Sequence, residues 1–355
     1  MFSWLTRRKG LVGLDIGTSS VKAVQLQRSG STYRLVALGI APIHPETIVD
    51  GVIMDAPAVS RAIQQIFEQN KIDVKEVAVS VSGHSVIVKK IRVPRMKRAE
   101  LREGIAWEAE QHIPFSIEDV NLDFQLLGSE GQGEGEMDVL LVAVKKDTVN
   151  EYVAAVSAAG LKAVVVDVDA FALENALEIS RDVKPTDVVA LVNIGAAVTT
   201  INVLQGGVSE FTRDSDLAGN RYTDSLQKGL GIGYEQAEAL KMGSGDLGHD
   251  SGKVKPVIEK VNSELAGEIR RSFEFYGSSV QGRPIHRVVL SGGCARLPDL
   301  SSYLSQALAL PVEIANPFRG ITADRKKFDP EYLAFVAPQM AVGVGLALRE
   351  PDDAK

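Results

Sequence analysis

The sequence predicts an α/β protein with two duplicated lobes around a cleft. The chain has 355 residues, too many for one ordinary hydrophobic core, so two lobes are expected. An apolar β-rich run, a glycine-containing turn and a second alternating run occur near the N-terminus and again after residue 187. In these segments Leu14-Asp15-Ile16-Gly17 aligns with Val192-Asn193-Ile194-Gly195. We therefore infer an internal duplication.

The composition is that of a folded protein in a reducing compartment. Apolar residues make up 45% of the chain and charged residues 24%, as in soluble globular domains. The net charge of -7 argues against nucleic-acid binding, which needs a dominant positive field. Cys294 is the single cysteine, so no intramolecular disulfide can form. No apolar run approaches the ~18 residues of a membrane span, and the first nine residues lack the apolar core of a secretory signal, so we expect a cytoplasmic location.

The first hairpin has the chemistry of a phosphate site. Period-two alternation places Asp15 on the opposite face of its strand from its apolar neighbours, toward a cleft. Gly17 allows unusual backbone angles and leaves room for a phosphate to approach the amides of residues 18–20. A simple hairpin turn has the same composition. The second hairpin in register, Val188 to Ile194 and Thr199 to Leu204, strengthens the phosphate interpretation.

A third glycine site lies in the second half of the chain. His286 to Leu290 is a short β-rich run, and Ser291-Gly292-Gly293 follows it before a predicted helix. Paired glycines after a buried strand let a flat ring lie against the backbone, and a following helix N-terminus favours negative charge. A tight strand-to-helix turn uses the same residues, so this alternative stays open.

The predicted organisation has four segments. These are residues 1–84 as the first half of lobe 1, 85–165 as an inserted α/β subdomain, 166–187 as the remainder of lobe 1, and 188–355 as lobe 2, whose C-terminal helix packs back on lobe 1. The inserted region begins with a basic stretch that includes Lys89, Lys90 and Arg92. This stretch is either a solvated face or a surface for an acidic membrane or a partner peptide.

The three glycine sites together resemble the motifs of the actin, sugar-kinase and heat-shock chaperone superfamily over Leu11 to Arg349. Asp15-Ile16-Gly17-Thr18-Ser19 resembles its first phosphate motif, Asn193-Ile194-Gly195-Ala196-Ala197-Val198-Thr199 its second, and Ser291-Gly292-Gly293 its adenosine motif. The resemblance implies an actin-like ATPase fold that holds ATP and magnesium between its lobes.

Within this superfamily the chain is similar to the PilM family of type IV pilus assembly proteins, and next to the FtsA family of cell-division proteins. The similarity lies in residues 13–22, in Gln111-His112-Ile113-Pro114-Phe115 after a helix predicted over 97–110, in residues 167–173 and in Leu290-Ser291-Gly292-Gly293. It implies a component of the pilus machinery that is peripheral on the inner membrane through its partner, the cytoplasmic N-terminal peptide of PilN. Nucleotide state would then be coupled to platform assembly and pilus-based twitching motility. Contacts with other pilus motor and platform proteins, and homo-oligomers, stay open.

The resemblance implies roles for the residues on the phosphate side. Asp15 organises magnesium through water, which fits an ion that keeps several waters. Gly17, Thr18 and Ser19 hold the terminal phosphates by backbone amides and hydroxyls. Lys22 belongs to the same nucleotide-binding set.

On the nucleoside side, the resemblance implies that Gly195 and Thr199 close the phosphates from lobe 2. The pair Gly292-Gly293 faces the adenosine. Glu238 and Lys241 lie on a predicted helix that resembles the ribose-side helix of the family. Their spacing is also that of an ordinary i,i+3 surface ion pair.

One position departs from the family pattern. The second phosphate motif usually begins with aspartate, and here it begins with Asn193, which can hold a water but supplies no charge or basicity. We therefore expect slow ATP hydrolysis and a protein that works mainly as an ATP-bound platform. Asp169, with Asp167, precedes the helix where relatives place the residue that positions the attacking water. A helix N-cap is the alternative role for Asp169.

Two other functions stay open. An FtsA-like membrane tether is weakened by the C-terminal end, Arg349 to Lys355, which is acidic and broken by proline, whereas FtsA-like chains end in an amphipathic membrane helix. A small-molecule kinase would need a carboxylate base at a substrate pocket in the first lobe. The inserted region shows no compelling motif for one.

Overall fold

The computed structural model describes residues 10–127, 135–180, 184–244, 251–279 and 283–351. The strands are β1 (Val12–Ile16), β2 (Ser20–Ser29), β3 (Thr32–Pro42), β4 (Ile48–Val49), β5 (Val52–Ile53), β6 (Glu76–Val81), β7 (Val86–Pro94), β8 (Val120–Leu127), β9 (Glu136–Lys145), β10 (Lys162–Val168), β11 (Val188–Ile194), β12 (Thr199–Gln205), β13 (Val208–Ser215), β14 (Arg287–Ser291), β15 (Val312–Ile314) and β16 (Ile321–Thr322). The helices are α1 (Ala56–Gln69), α2 (Arg98–Glu110), α3 (Lys146–Ala158), α4 (Asp169–Glu178), α5 (Gly219–Leu230), α6 (Tyr234–Lys241), α7 (Ser251–Ser279), α8 (Leu300–Leu308), α9 (Pro330–Val336) and α10 (Ala341–Ala347).

Two large sheets repeat the same plan. The first has the order β10-β6-β1-β2-β3-β16 and the second β13-β12-β11-β14-β15. In each, two antiparallel pairings build a three-stranded meander, and two parallel pairings extend it on the other side. β1 and β11 therefore occupy equivalent central positions. The predicted duplicated α/β fold is confirmed.

Local sequence accounts for the central strands and for several element ends. All five residues of β1 are buried, as expected for a strand covered on both faces. α1 starts after Asp55, whose carboxylate accepts a hydrogen bond from the Ala58 amide at 2.9 Å, an N-cap. α5 ends at Gly231, whose φ of +67° is the left-handed C-cap conformation that favours glycine.

A third sheet of three strands lies between the two halves of the first lobe in sequence. Its order is β7-β9-β8, all antiparallel, and α2 packs against β8. The predicted end of the insertion, residue 165, falls inside β10. Because β10 pairs in parallel with β6, residues 162–168 belong by their hydrogen bonding to the six-stranded sheet.

Helix α10 packs closely against the first lobe, with its backbone near the backbones of β1 and α4. It packs on β1 and α4. A Cβ atom on Gly345 would lie 1.7 Å from the Ala172 carbonyl oxygen, and one on Gly13 would lie 2.1 Å from the Gly343 carbonyl oxygen. α4 also contacts β12 and β13 of the second lobe. α4 and α10 therefore lie where the two lobes meet.

Two sequence expectations concern membranes. Within the described ranges, no helix is long and apolar enough to cross a bilayer. The first nine residues, and the last four of the acidic C-terminal end, lie outside the described residues.

Candidate functional site

A cleft of about 280 Å³ is lined by residues of both lobes. It brings together the predicted residues Asp15, Gly17, Thr18, Ser19, Lys22, Asp169, Asn193, Gly195, Glu238, Lys241, Gly292 and Gly293. Of the predicted and described site residues, Asp167 and Thr199 do not line it. The three motifs, although far apart in sequence, thus converge on one cavity.

The first hairpin supplies one wall of the cleft. Asp15 on β1 lies opposite Lys22 on β2, and Lys22 Nζ donates to Asp15 Oδ2 at 3.0 Å. The turn between the strands is closed by a hydrogen bond from the Gly17 amide to the Ser20 carbonyl at 3.2 Å. Thr18 and Ser19 are left partly or fully exposed at the tip of this turn. Their hydroxyls and amides are available to an anion.

The second hairpin faces the first across the cleft. The Gly195 amide donates to the Val198 carbonyl at 2.9 Å, and the Gly195 carbonyl accepts from the Gly219 amide at 3.0 Å. This carbonyl would lie 2.9 Å from a Cβ atom on Gly219. The start of α5 is therefore held against the turn, with its N-terminus near the cavity, an arrangement that favours anions.

Asn193 and Thr199 have their polar groups engaged within the second lobe. Asn193 Oδ1 accepts a hydrogen bond from Ser291 Oγ at 3.0 Å, across the parallel pair of β11 and β14. Thr199 is fully buried and donates to the Leu217 carbonyl at 2.7 Å. Thr199 thus stabilises the turn through this hydrogen bond and does not line the cavity.

The glycine pair lines the cleft beside the second hairpin. Gly292 has a φ of +88°, and a Cβ atom on it would lie 2.3 Å from the Ile194 carbonyl oxygen. Its amide donates to the Pro338 carbonyl at 2.9 Å. The requirement for glycine is therefore steric as well as conformational. Gly292 is buried and Gly293 is partly exposed, and both line the cavity that a flat ring would enter.

Arg296, which the sequence analysis did not single out, lies beside this glycine pair. Its guanidinium stacks over the Phe335 ring at 3.8 Å, and its Nη1 donates to Gln339 Oε1 at 3.1 Å. Burial lowers the pKa of Arg296 from its ordinary value. Its Nε is buried and has no hydrogen-bond partner among the described residues. The sequence does carry a signal for Arg296, since it is a planar cation that follows the Gly-Gly pair.

Glu238 and Lys241 line the cavity from α6. Lys241 is 7% exposed, and its Nζ donates to Glu238 and, at 3.0 Å, to Thr223 Oγ1 on α5. The pair is therefore not an ordinary surface ion pair. It ties α6 to α5 and leaves a buried cation on the cavity wall.

Asp169 lies at the floor of the cleft. Its Oδ1 accepts a hydrogen bond from Ser80 Oγ at 2.6 Å. Burial, together with the Asp15 carboxylate, raises the pKa of Asp169 to about 7. The N-cap of α4 is Val168, and Asp169 is the first helical residue. The alternative role of Asp169 as a helix N-cap is therefore wrong.

Asp167 is oriented away from the cavity. Its Oδ2 accepts from Arg349 Nε at 2.6 Å, and its Oδ1 accepts from the Val168 amide at 2.8 Å. The strand β10 ends at Val168 and Asp169 begins α4, so strand alternation does not extend to Asp169. Asp167 lies with Arg349, just after α10. The structure thus separates the two aspartates that the sequence placed together.

The donor set fits a nucleotide with magnesium better than a metal bound by protein alone. No cluster of three or more His, Cys, Asp or Glu side chains in the described part of the chain could hold a metal. Magnesium needs few carboxylates when phosphates and waters complete its shell. The cavity offers the carboxylate of Asp15, the cations of Lys22 and Lys241, and glycine-turn amides for the phosphates.

Two lobes of one topology, each presenting a glycine-turn hairpin to a shared cleft, define the actin-like ATPase fold. The family of Type IV pilus assembly protein PilM matches residues 13–351, and the chain belongs to this family. A solved PilM-PilN type IV pilus biogenesis complex is similar with a TM-score of 0.86 and 32% identity, over 97% of this chain and 98% of that one.

More distant relatives share the fold. FtsA cell-division protein of Bacillus subtilis is 23% identical over 94% of this chain and 82% of the relative. MreB5 of Spiroplasma citri bound to ADP has a TM-score of 0.54 at 17% identity, covering 98% of both chains. The ethanolamine utilization protein EutJ of Carboxydothermus hydrogenoformans has a TM-score of 0.58 at 17% identity, over 95% of this chain and 89% of that one.

Proposed function

We propose that the chain is a cytoplasmic ATP-binding component of type IV pilus assembly that holds the cytoplasmic N-terminal peptide of PilN. The observation that carries this proposal is the convergence of both hairpin turns and the glycine pair on one cleft with two lysines, the buried Lys241 and the partly buried Lys22. Family membership supplies the process, and the similar PilM-PilN complex supports the partner. In this proposal the protein lies on the inner membrane through PilN.

The binding roles follow from the positions in the cleft. Lys22 and the turn of residues 17–19 hold the terminal phosphates from the first lobe, and the turn at Gly195 holds them from the second. Asp15 orients magnesium through water, and the bound ion supplies charge neutralisation to the phosphates. Lys241 and the pair at 292–293 position the nucleoside.

Hydrolysis is expected to be slow. Asn193 has no basicity, and its carboxamide oxygen is occupied by Ser291. Asp169 holds its carboxyl at the floor of the cleft with a pKa raised to about 7 by burial and Asp15, so it is poised to accept a proton from a water at neutral pH. The site thus has one weak base, Asp169, and no second carboxylate at position 193. This combination favours retention of ATP over its hydrolysis.

Nucleotide and peptide binding are coupled in this proposal. If ATP favours one arrangement of the lobes and the peptide binds that arrangement better, each ligand raises the affinity for the other by the same factor. The FtsA-like tether is less favoured because the pilus complex is similar at 32% identity and the FtsA relative at 23%.

Calorimetric titration of ATP with magnesium into the purified chain tests the proposal. Asp15→Ala should lose the magnesium-dependent part of the affinity, whereas Asp73→Ala, an exposed aspartate in a loop, should bind as the unaltered chain does. A synthetic PilN N-terminal peptide should bind and should change the ATP affinity. Absence of ATP binding contradicts the nucleotide role, and absence of peptide binding contradicts the partner.

A further inference from the structure

Strand β13 joins the second lobe to the first through acidic side chains. It is the edge strand of its sheet, and it packs against β7 and the turn at residues 83–85. Phe211 and Arg213 point to α7, where the Phe211 ring lies 5.9 Å from that of Phe275 and Arg213 lies 3.2 Å from Glu268. By strand alternation, Asp214 points the other way. Glu210 lies at a bulge, where the pairing of β12 with β13 shifts between Val203 and Leu204.

Three polar contacts cross to the first lobe and to β7, two from β13 and one from Asp216, the residue that follows it. Asp214 Oδ2 accepts a hydrogen bond from the Gly83 amide at 2.6 Å, and Glu210 Oε2 accepts from Lys90 Nζ at 2.7 Å. His84 Nε2 lies 2.9 Å from Asp216 Oδ2. We call these three contacts the interlobe latch.

The three contacts of the latch differ in how far their side chains are shielded from solvent. The side chains of His84 and Asp216 are about 70% exposed, so their pair is screened and weak. Those of Lys90 and Glu210 are 22% and 20% exposed. A hydrogen bond between partly buried charged groups is stronger than a neutral one. The contacts made by Lys90 and Asp214 therefore contribute more free energy to the latch than the contact between His84 and Asp216.

The surroundings of Asp214 disfavour the charged form of its carboxyl group. Burial raises its pKa, and hydrogen bonds from Thr200 and the Gly83 amide oppose that rise. Its Oδ1 is buried without a hydrogen-bond partner among the described residues. Because an unsatisfied buried oxygen is costly, movement of either neighbour changes the energy of this contact strongly.

One end of the latch lies at the cleft. Gly83 follows Ser80, Val81 and Ser82, which line the first-lobe wall, and Ser80 donates to Asp169. Thr200, the direct register partner of Asp214 on β12, lines the second-lobe wall. Asp214 thus contacts groups attached to both walls of the nucleotide cleft.

The other end lies in the three-stranded sheet. Lys90 Nζ is 3.0 Å from Asp138 Oδ2 on the central strand β9 as well as 2.7 Å from Glu210. Burial lowers the pKa of Lys90, but the two carboxylates outweigh this and raise it, so Lys90 is a cation at neutral pH. A continuous series of charged contacts runs from the second lobe to β9.

We propose that the interlobe latch couples the cleft to the three-stranded sheet, so that a change in the angle between the lobes alters the contacts of β13 and loosens or tightens β7. The inference rests on the proposed function, since the nucleotide is the ligand that sets this angle. By reciprocity, a ligand that holds the three-stranded sheet changes nucleotide affinity through the same contacts.

Hydrogen exchange of the full chain without nucleotide tests the latch itself. Glu210→Gln and Asp214→Ala should speed exchange in residues 86–94 by about tenfold, the low end of the loss expected for a charge-assisted hydrogen bond. Glu264→Gln is the matched control, because Glu264 pairs with Arg221 at 2.9 Å within the second lobe. Asp214→Asn, which keeps an acceptor for the Gly83 amide but loses the charge, should give a rate between those of the unaltered chain and Asp214→Ala. Equal rates in Glu210→Gln, Asp214→Ala and the control overturn the latch.

The same measurement with ATP and magnesium tests the coupling. In the unaltered chain, nucleotide should slow exchange at residues 80–82 and also change it at residues 86–94. In Glu210→Gln the first effect should remain and the second should be lost. A protected cleft with an unchanged β7 in the unaltered chain overturns the coupling alone, whereas no protection anywhere overturns both the coupling and the proposed function.

Discussion

Lys22 Nζ lies 3.0 Å from Asp15 Oδ2, and the two residues are direct partners in the register of β1 and β2. Their side chains are only 12% and 11% exposed. The pair is charge-balanced, and Lys22 also faces the cavity. A phosphate entering the cleft would share this lysine with Asp15, so the lysine belongs both to the fold and to the ligand site.

Lys22→Met should weaken ATP binding. Loss of a charge-assisted hydrogen bond to a phosphate costs about 1.5 to 3 kcal/mol, which is roughly 10- to 100-fold in affinity. Calorimetry with ATP and magnesium gives the measurement. Lys75→Met, which removes an exposed lysine in a loop, is the control and should bind normally. Unchanged affinity in Lys22→Met would show that the lysine serves only Asp15.

Asp169 should make stability fall as pH rises through neutrality. Burial and Asp15 raise its pKa from 3.8 to about 7, so between these values the folded chain holds a proton that the unfolded chain releases. The free energy of unfolding therefore decreases with pH across this window. Three pKa units correspond to roughly 4 kcal/mol, and because the carboxyl faces the cleft on one side we expect on the order of 2 kcal/mol.

Urea unfolding at pH 5 and pH 8 measures this effect. Asp169→Asn should lose most of the Asp169 contribution to the difference between the two pH values. Glu174 should contribute a remainder of the same sign, because burial and Glu178 raise its pKa to about 7. An unaltered pH dependence in Asp169→Asn would refute the assigned shift.

Gly345→Ala should destabilise the chain strongly. The new methyl group would lie 1.7 Å from the Ala172 carbonyl oxygen, so α10 and α4 would have to separate. Overpacking of this kind costs about 1 to 3 kcal/mol, with larger values where backbone must move. Gly104→Ala in α2 is the control, because its Cβ meets nothing within 4 Å, and it should gain about 0.5 to 1 kcal/mol. Thermal unfolding followed by circular dichroism distinguishes the two.

Arg296→Ala should reduce affinity for ATP and not for inorganic triphosphate. The guanidinium stacks on Phe335 and lines the cleft with the glycine pair, and among the described residues its Nε has no partner. Stacking of a cation on a ring is worth about 0.5 to 2 kcal/mol. Competition titrations with both ligands, and with the exposed Arg325→Ala as control, give the measurement. An equal loss for both ligands would place Arg296 at the phosphates.

The local features of this chain were predictable from its sequence. Both hairpins, the glycine turns and the duplication depend on strand alternation and on glycine, which act within a few residues. The predicted strand Val188 to Ile194 matches β11, and the helix predicted over 97–110 matches α2 within one residue. Asp15, Asn193 and Gly292 reach one cleft because the strands that carry them occupy central positions in the two sheets.

The tertiary structure decided what each polar group does. Asp167 and Asp169 are two residues apart in sequence, yet one pairs with Arg349 and the other faces the cavity with a raised pKa. Lys241, whose alternative role from sequence was a surface ion pair with Glu238, is buried. The hydrogen bond from Gly83 to Asp214 joins residues 131 positions apart. Sequence pattern determines which face of a strand a side chain occupies, but its partners, burial and pKa depend on the distant segments that folding brings beside it.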